Sequence, residues 1–249
     1  MSIATRLAGA VVIVTFVALV AASFIGLSAG TDLGRDLYQD RLESLASSGA
    51  TDTAGTLNST ERLTEVLALS PAATLAIEGF SEGFSELPLD DPDFDGLAEA
   101  RALGAEYAET YLETTTAVTV PIEQILSENS GAIYLQSRYS VDDSTFDDPS
   151  RVLDAGDGSS WSEVHAAYHS AYRKTADSTG LSDVYLVDGE TGRVVYSVAK
   201  RPDLGTSLRV GPYSGSVLAD TVLEVIADPA GGTVRSDLSP YDARPGEIV

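Results

Sequence analysis

The chain has 249 residues, of which 38 are Asp or Glu and 15 are Lys or Arg, giving a formal net charge of −23, and it contains no Cys. That excludes a disulfide scaffold, a Cys-ligated zinc or iron–sulfur site and a Cys nucleophile, and so anionic a surface repels nucleic acid. An apolar fraction of 43% is too high for a wholly disordered chain and allows one or two domains with a true core.

No charged residue occurs between Arg6 and Asp32. Within that gap residues 8–30 read AGAVVIVTFVALVAASFIGLSAG. As a helix they would measure about 35 Å, against a bilayer core of about 30 Å. A helix satisfies its own backbone polar groups in lipid, so a single N-terminal transmembrane helix is expected. A cleaved signal peptide ending near Ala21-Ala22 is the competing reading, although its apolar stretch runs to only about 7–15 residues. Arg6 is the sole basic residue before the span, which places residues 1–7 in the cytoplasm and the rest outside the cell membrane. No second apolar run of spanning length follows, so the expected topology is single-pass.

Residues 31–140 read mainly as helix, a long stem and a membrane-distal helical region. Leu33, Leu37, Leu42 and Leu45 continue a helical stripe away from the membrane and form a candidate homodimer seam. Asn58 and Glu61 have the spacing of a capping pair ahead of Leu63, Val66 and Leu67. The Asn58-Ser59-Thr60 triplet also matches a glycosylation acceptor, a short pattern of low specificity. Ser70-Pro71 reads as a cap followed by Pro at the first helical position. The Leu87–Asp95 stretch is an acidic loop, and Asp95 caps a helix carrying Leu97, Tyr107, Tyr111 and Leu112. A short helix is expected from Pro121, over Ile122 to Glu128.

Residues 141–249 are organised differently. Ser160 and Glu163 form a candidate capping box for a helix presenting Trp161, Val164, Tyr168 and Tyr172 on one side. Asp183–Val187 and Arg193–Ala199 are β-rich runs joined by a five-residue loop with Gly, the pattern of an antiparallel hairpin. Gly205–Tyr213 reads as an irregular loop. Ser214 or Ser216 opens a helix with Leu218, Thr221, Val222, Val225 and Ile226, and Pro229–Gly232 stops it. Thr233–Leu238 is a candidate third strand. Such a sheet keeps an open edge unless another strand joins, and Ile248-Val249 reads as the start of one, so the sensor region is expected to be truncated at its C-terminus.

Six segments in order carry a resemblance: Tyr134-Leu135-Gln136, Leu153 to Ser159, His165 to His169, Asp183 to Asp188, Val194 to Val198, and Gly211-Pro212-Tyr213. Together they resemble the Cache-like, PAS-like extracytoplasmic sensor region of bacterial membrane receptors, such as adenylate/guanylate cyclases and methyl-accepting chemotaxis proteins. The match is best over residues 130–241. The resemblance implies an α+β fold in which an incomplete PAS-like mixed sensor with an antiparallel sheet senses a small molecule. It also implies a second membrane helix and an output module, neither of which follows here. The chain is therefore expected to be the sensor portion of a receptor, with no catalytic module and no cofactor of its own.

Three constellations carry candidate chemistry. His165 and His169 are spaced i, i+4, which suits a zinc site completed by Asp154 or Asp157. The alternative is a pair of packed core histidines, because His165 falls within the stripe of Trp161, Val164, Tyr168 and Tyr172. The run Asp154 to Ser159 offers carboxylates and glycines for a calcium loop, or simply a turn into the helix cap. Tyr185, Tyr196, Lys200, Arg209 and Tyr213 are the candidate ligand-binding set, with aromatic walls and cations for a carboxylate or phosphate. Their alternative is core tyrosines and surface cations. Asp90-Asp91 and Asp147-Asp148 read as solvated loop charge. Two further functions compete with the sensor reading, an exported metal-dependent hydrolase using His165 and His169, and a purely structural anchor.

Overall fold

The computed structural model describes residues 41, 44–89, 91–114, 126–140, 148–228, 230, 232–237 and 239–243. The expected membrane span at 8–30, Leu33, Leu37 and Leu42 of the stem stripe, Pro121 to Ile125 and the terminal Ile248-Val249 lie outside these residues. The side chains of Tyr111 and Leu112 do too. Among the described residues the architecture is α+β, with six helices and one two-stranded antiparallel sheet.

The chain falls into two units, divided after Ser59. Helix α1, Ser44–Ala68, runs through the division. Its residues up to Ser59 are exposed, and several of its Ser and Thr hydroxyls bond back to carbonyls four residues earlier, as Thr51 does to Ser47 at 2.8 Å. Asn58 is mid-helix, so the expected capping pair with Glu61 does not mark a helix start. No single described helix is long and apolar enough to cross a membrane. Ser44–Ala68 and Pro71–Ser85 pass that test only as a bent pair.

The second unit holds the core. Helix α2, Pro71–Ser85, starts as the sequence predicts: Ser70 accepts the Ala73 N–H and Pro71 occupies the first turn. Helix α3, Gly96–Thr114, starts at Asp95, whose Oδ1 accepts from Leu97 N and Ala98 N. It buries Leu103 and Tyr107, whereas Leu97 stays 62% exposed. Helix α4, Ser130–Tyr139, is capped by Asn129. A single 3-10 turn, Pro149–Arg151, is capped by Asp148, so that acidic residue is an N-cap and not loose loop charge. Helix α5, Ser160–Thr179, is capped by Ser159, one residue before the expected Ser160. Gly180 ends it in the left-handed conformation (φ 71°) that glycine adopts without a Cβ clash. Helix α6, Val217–Ala227, opens at Ser216.

Strands β1, Tyr185–Val187, and β2, Val194–Ser197, are shorter than the sequence runs. They pair antiparallel as Tyr185↔Ser197, Leu186↔Tyr196 and Val187↔Val194, with a bulge between Leu186 and Val187. The bulge leaves Val195 unpaired in the ladder, and its carbonyl accepts the Trp161 indole N–H at 3.0 Å. The expected third strand at Thr233–Leu238 is irregular through residue 237. The outer edge of β2 is covered instead by the loop after it. Val194 N donates to Thr206 O, Gly205 N to Val194 O, and Leu208 N to Gly192 O, each at 2.8–2.9 Å. Part of the expected irregular loop thus closes the edge that an absent strand would have left open.

Two apolar clusters meet across α4 and β2. The first joins Phe80 of α2, Leu135 and Tyr139 of α4, Trp161 and Tyr172 of α5, and Tyr196 of β2. The second joins Leu103 and Tyr107 of α3, Ile133 of α4, Val194 of β2, Tyr213 and Tyr241. Buried Gln136 ties them together: its amide donates to Pro202 O (2.7 Å) and Leu204 O (2.8 Å), and its oxygen accepts from Tyr107. Helices α2 and α5 approach so closely at Gly83 that a Cβ there would lie 2.7 Å from the Trp161 backbone.

Candidate functional site

Two adjoining clefts open on the second unit, of about 650 Å³ and about 620 Å³. Both volumes suit a small molecule. They share Glu128, Asn129 and Arg193. The first continues along Ser207, Val210 and Pro212. The second runs between α2 (Ser81, Phe84), the start of α4 (Gly131) and the hairpin (Asp188, Thr191).

Arg193 stands at the junction because the hairpin turn ends at Gly192, and the next residue leads into β2 with its side chain leaving the core. It is half-buried. Its Nη1 donates to Gly205 O at 2.7 Å, and its guanidinium lies 4.3 Å from the centre of the Phe84 ring. No carboxylate among the described residues lies within 4.0 Å of it. Burial lowers its pKa, and the Asp188 charge partly offsets this. Asp188 is itself held by Thr191 and by Ser81, whose hydroxyl donates to it at 3.0 Å, and these bonds keep its carboxyl below the ordinary value against the opposing effect of burial. The hairpin loop is thereby fastened to α2 beside the cation. The result is a guanidinium with spare donors, stacked on an aromatic face and opening on two clefts, which is suited to an anion.

The expected ligand set is not gathered at one place. Arg209 is exposed and donates to Gly189 O at 3.1 Å on the outside of the hairpin. Tyr213 is buried in the second cluster, its ring 5.6 Å from that of Tyr241, and half-buried Tyr185 packs against the same cluster. Tyr196 and Lys200 come together elsewhere, at the centre of the first cluster, beside His165 and His169. Arg193 is not among the expected residues. Its one sequence signal is a lone cation directly after a turn glycine, heading an apolar strand.

Around His169 the geometry is tight. His165, His169, Tyr196 and Lys200 are all fully buried. The buried face of α5 runs through Trp161, His165, His169, Tyr172 and Ala176, so the histidines form its centre and Val164 and Tyr168 flank it. The two imidazoles stack with centroids 4.3 Å apart, and Trp161 stacks on His165 at 5.1 Å. His165 Nδ1 meets Leu153 O at 2.8 Å, and His169 meets Tyr196 Oη at 2.8 Å and Ser150 O at 2.6 Å. A carbonyl only accepts, so His169 carries its proton on Nε2 and its Nδ1 accepts the Tyr196 hydroxyl. Lys200 Nζ lies 3.2 Å from the same Nε2 and 2.8 Å from Pro149 O. Burial pushes the Lys200 amine down to about 7, and an ammonium gains nothing from facing an N–H. Burial, then the Lys200 charge, lowers His169 to about 4, and His165 is lowered in the same way. Burial raises the Tyr196 phenol.

Lys200 is also in the left-handed backbone region, at φ 51°. Asp183 and Ser197 hold it there: Asp183 Oδ1 accepts from Val198 N and Ala199 N, and Ser197 Oγ accepts from Lys200 N. Strain of this kind in a non-glycine residue costs on the order of 1–3 kcal/mol.

The imidazoles are therefore packed core residues, the second of the two sequence readings. Among the described residues no third His, Asp or Glu joins them to form a metal cluster. Asp157, a candidate third ligand by sequence, accepts from Ser159 and from Tyr134 at 3.1 Å, and Asp154 closes a turn onto Gly156 N. The Asp154–Ser159 run is the turn into the α5 cap. No protein-family profile, curated protein or solved structure matches this chain.

Proposed function

We propose that this chain is the sensor portion of a membrane signal-transduction receptor, with a small anionic molecule bound in the clefts that meet at Arg193. The observation that carries this reading is the Arg193 guanidinium, which lacks a carboxylate partner within 4.0 Å among the described residues of a chain carrying −23 charges. Support for the receptor part comes from the order of segments that resembles a Cache-like sensor region and from the apolar run at 8–30. In this reading the remainder faces outward, and catalysis belongs to an output module outside this chain.

The mechanism is a population shift. An anion drawn to Arg193 adds a tie between the hairpin and the start of α4 to the existing Ser81–Asp188 bond that holds the hairpin to α2, these being the elements that line the second cleft. Helix α2 follows α1 in sequence across Ser70-Pro71, so a change in α2 packing reaches the stem. A second copy pairing along the stem completes such a receptor. Leu45 and Leu57, 62% and 48% exposed, are available for it, and disulfide trapping of Leu45→Cys tests the pairing.

Thermal-shift and calorimetric titration of the detergent-solubilised full chain test the site, with acetate, succinate, citrate and inorganic phosphate as probes. At least one probe is expected to raise the melting temperature in wild type and to lose affinity by about tenfold or more in Arg193→Met. No stabilising anion, or equal binding to the variant, removes the proposal.

A further inference from the structure

Three buried bases hold three carbonyls of one short segment. Lys200 Nζ donates to Pro149 O, His169 Nε2 to Ser150 O and His165 Nδ1 to Leu153 O. The segment's own backbone bonds are local: Arg151 N to Asp148 O and Val152 N to Pro149 O. Among the described residues its attachment to the body of the domain runs through these three donors, the buried Val152 side chain, and the Tyr139 hydroxyl that accepts from Ala155 N just beyond it.

The array tolerates little charge. Among the described residues the charged side chains acting on it are Asp148 from the segment itself, Asp183 from the turn before β1, and Arg173 from α5, which opposes protonation. Neither carboxylate lies within 4.0 Å of a cluster nitrogen. The phenols of Tyr196 and Tyr139 complete the polar surroundings, and α2 contributes the apolar Phe80 ring. His165 Nε2 is buried with no partner among the described residues, so a proton added there finds no acceptor among them. A proton added to His169 goes to Nδ1, where the Tyr196 hydroxyl must turn from donor to acceptor, and it places a second cation 3.2 Å from the Lys200 ammonium.

We propose that residues 148–153 form a proton-released latch: acidification places a second positive charge on the His165–His169–Lys200 array, and the segment detaches from α5 and Lys200 while the rest of the domain stays folded. Protonated His169 and Lys200 repel, and their carbonyl partners pass to water. The sensor core would then register external acidity through a part of the molecule separate from the Arg193 clefts.

The chain contains a single Trp, and Trp161 stacks on His165. Imidazolium quenches indole emission, so Trp161 fluorescence reports the array directly. The test uses the full chain in detergent micelles, titrated from about pH 8 to about pH 4. Emission, amide exchange of 148–153 corrected for the intrinsic pH effect, and far-ultraviolet ellipticity are followed together. Quenching and faster exchange at 148–153 are expected together between the ordinary imidazole value of 6.5 and about 4, before ellipticity changes. His169→Gln keeps a donor for Ser150 O but does not titrate, and is expected to lower the midpoint by about 1 pH unit or more. Lys200→Met removes the ammonium that opposes protonation of His169, and is expected to raise the quenching midpoint by about 1 pH unit. The proposal is overturned if wild type shows no such transition, if exchange rises only with global loss of ellipticity, or if either variant keeps the wild-type midpoint.

Discussion

Replacing Lys200 with Met is expected to stabilise the protein at neutral pH. The side chain is fully buried and its amine is pushed from 10.5 down to about 7, chiefly by desolvation. At about 1.36 kcal/mol per pH unit, that displacement opposes folding by about 5 kcal/mol at pH 7 and below. The sign follows from proton binding. The unfolded chain holds the lysine proton up to its ordinary value, and the folded chain releases it near 7. Stability contributed by this group is therefore complete above 10.5 and falls as pH drops toward 7. Met fills nearly the same volume without a charge, while the Pro149 carbonyl loses its donor, at about 1–2 kcal/mol. The net gain is about 3 kcal/mol at pH 7, or about 6–12 °C in melting temperature for a domain of this size. Melts monitored by far-ultraviolet ellipticity at pH 7, 8.5 and 10 measure it, with the gap between variant and wild type narrowing as pH rises. A variant less stable than wild type at pH 7, or a gap that does not change with pH, would refute the reasoning.

Other substitutions probe the remaining parts of the fold. Gln136→Leu takes one buried hydrogen-bond partner from each of two carbonyls and from the Tyr107 hydroxyl, and chemical denaturation is expected to show a loss of about 2–4 kcal/mol. Gly83→Ala places a methyl 2.7 Å from the Trp161 backbone. The helices must separate, so a loss of about 1–3 kcal/mol is expected, with a shift in Trp161 emission as the independent readout. Acid sensitivity has its own pH window. His169 contributes stability in full above 6.5 and loses about 3 kcal/mol of it by pH 4, because the unfolded chain takes up the proton first. In His169→Gln the denaturation midpoint is expected to vary less across that interval. Trp161→Phe strips the bulged Val195 carbonyl of its donor, and a loss of about 2 kcal/mol or more is expected in the same assay.

Local chemistry made much of the fold legible in the sequence. Ser70-Pro71, Asp95 and Ser216 begin helices where the pattern puts them, because capping satisfies backbone donors within a few residues and needs nothing from the rest of the chain. The hairpin was equally legible, as two β-rich runs that pair antiparallel across a glycine-containing turn, although the connection, 188–193, is one residue longer than the five expected. Asn58 misled for the same reason: its spacing fits a cap, but α1 runs on through it, since nothing local obliges a helix to stop there. The Thr233–Leu238 stretch also misled, because a strand needs a partner edge, and residues 205–208 already occupy the free edge of β2.

The site was less legible, because proximity across the fold has no local signature. His165 and His169 are visibly i, i+4, yet that spacing serves a metal and a stacked core pair equally well, and only the carbonyls of Leu153 and Ser150 on their ring nitrogens decide between them. Tyr196, Lys200, Arg209 and Tyr213 lie within a short stretch of sequence, but β2 buries Tyr196, the turn after it brings Lys200 back onto the array, and the covering loop sends Arg209 outward and Tyr213 into the second cluster. Composition and periodicity fix the helices, the hairpin and the charge of this protein, since each depends on neighbours within a few residues. The burial of Lys200 and the open guanidinium of Arg193 depend on which distant segments pack around them, and only the tertiary structure decides that.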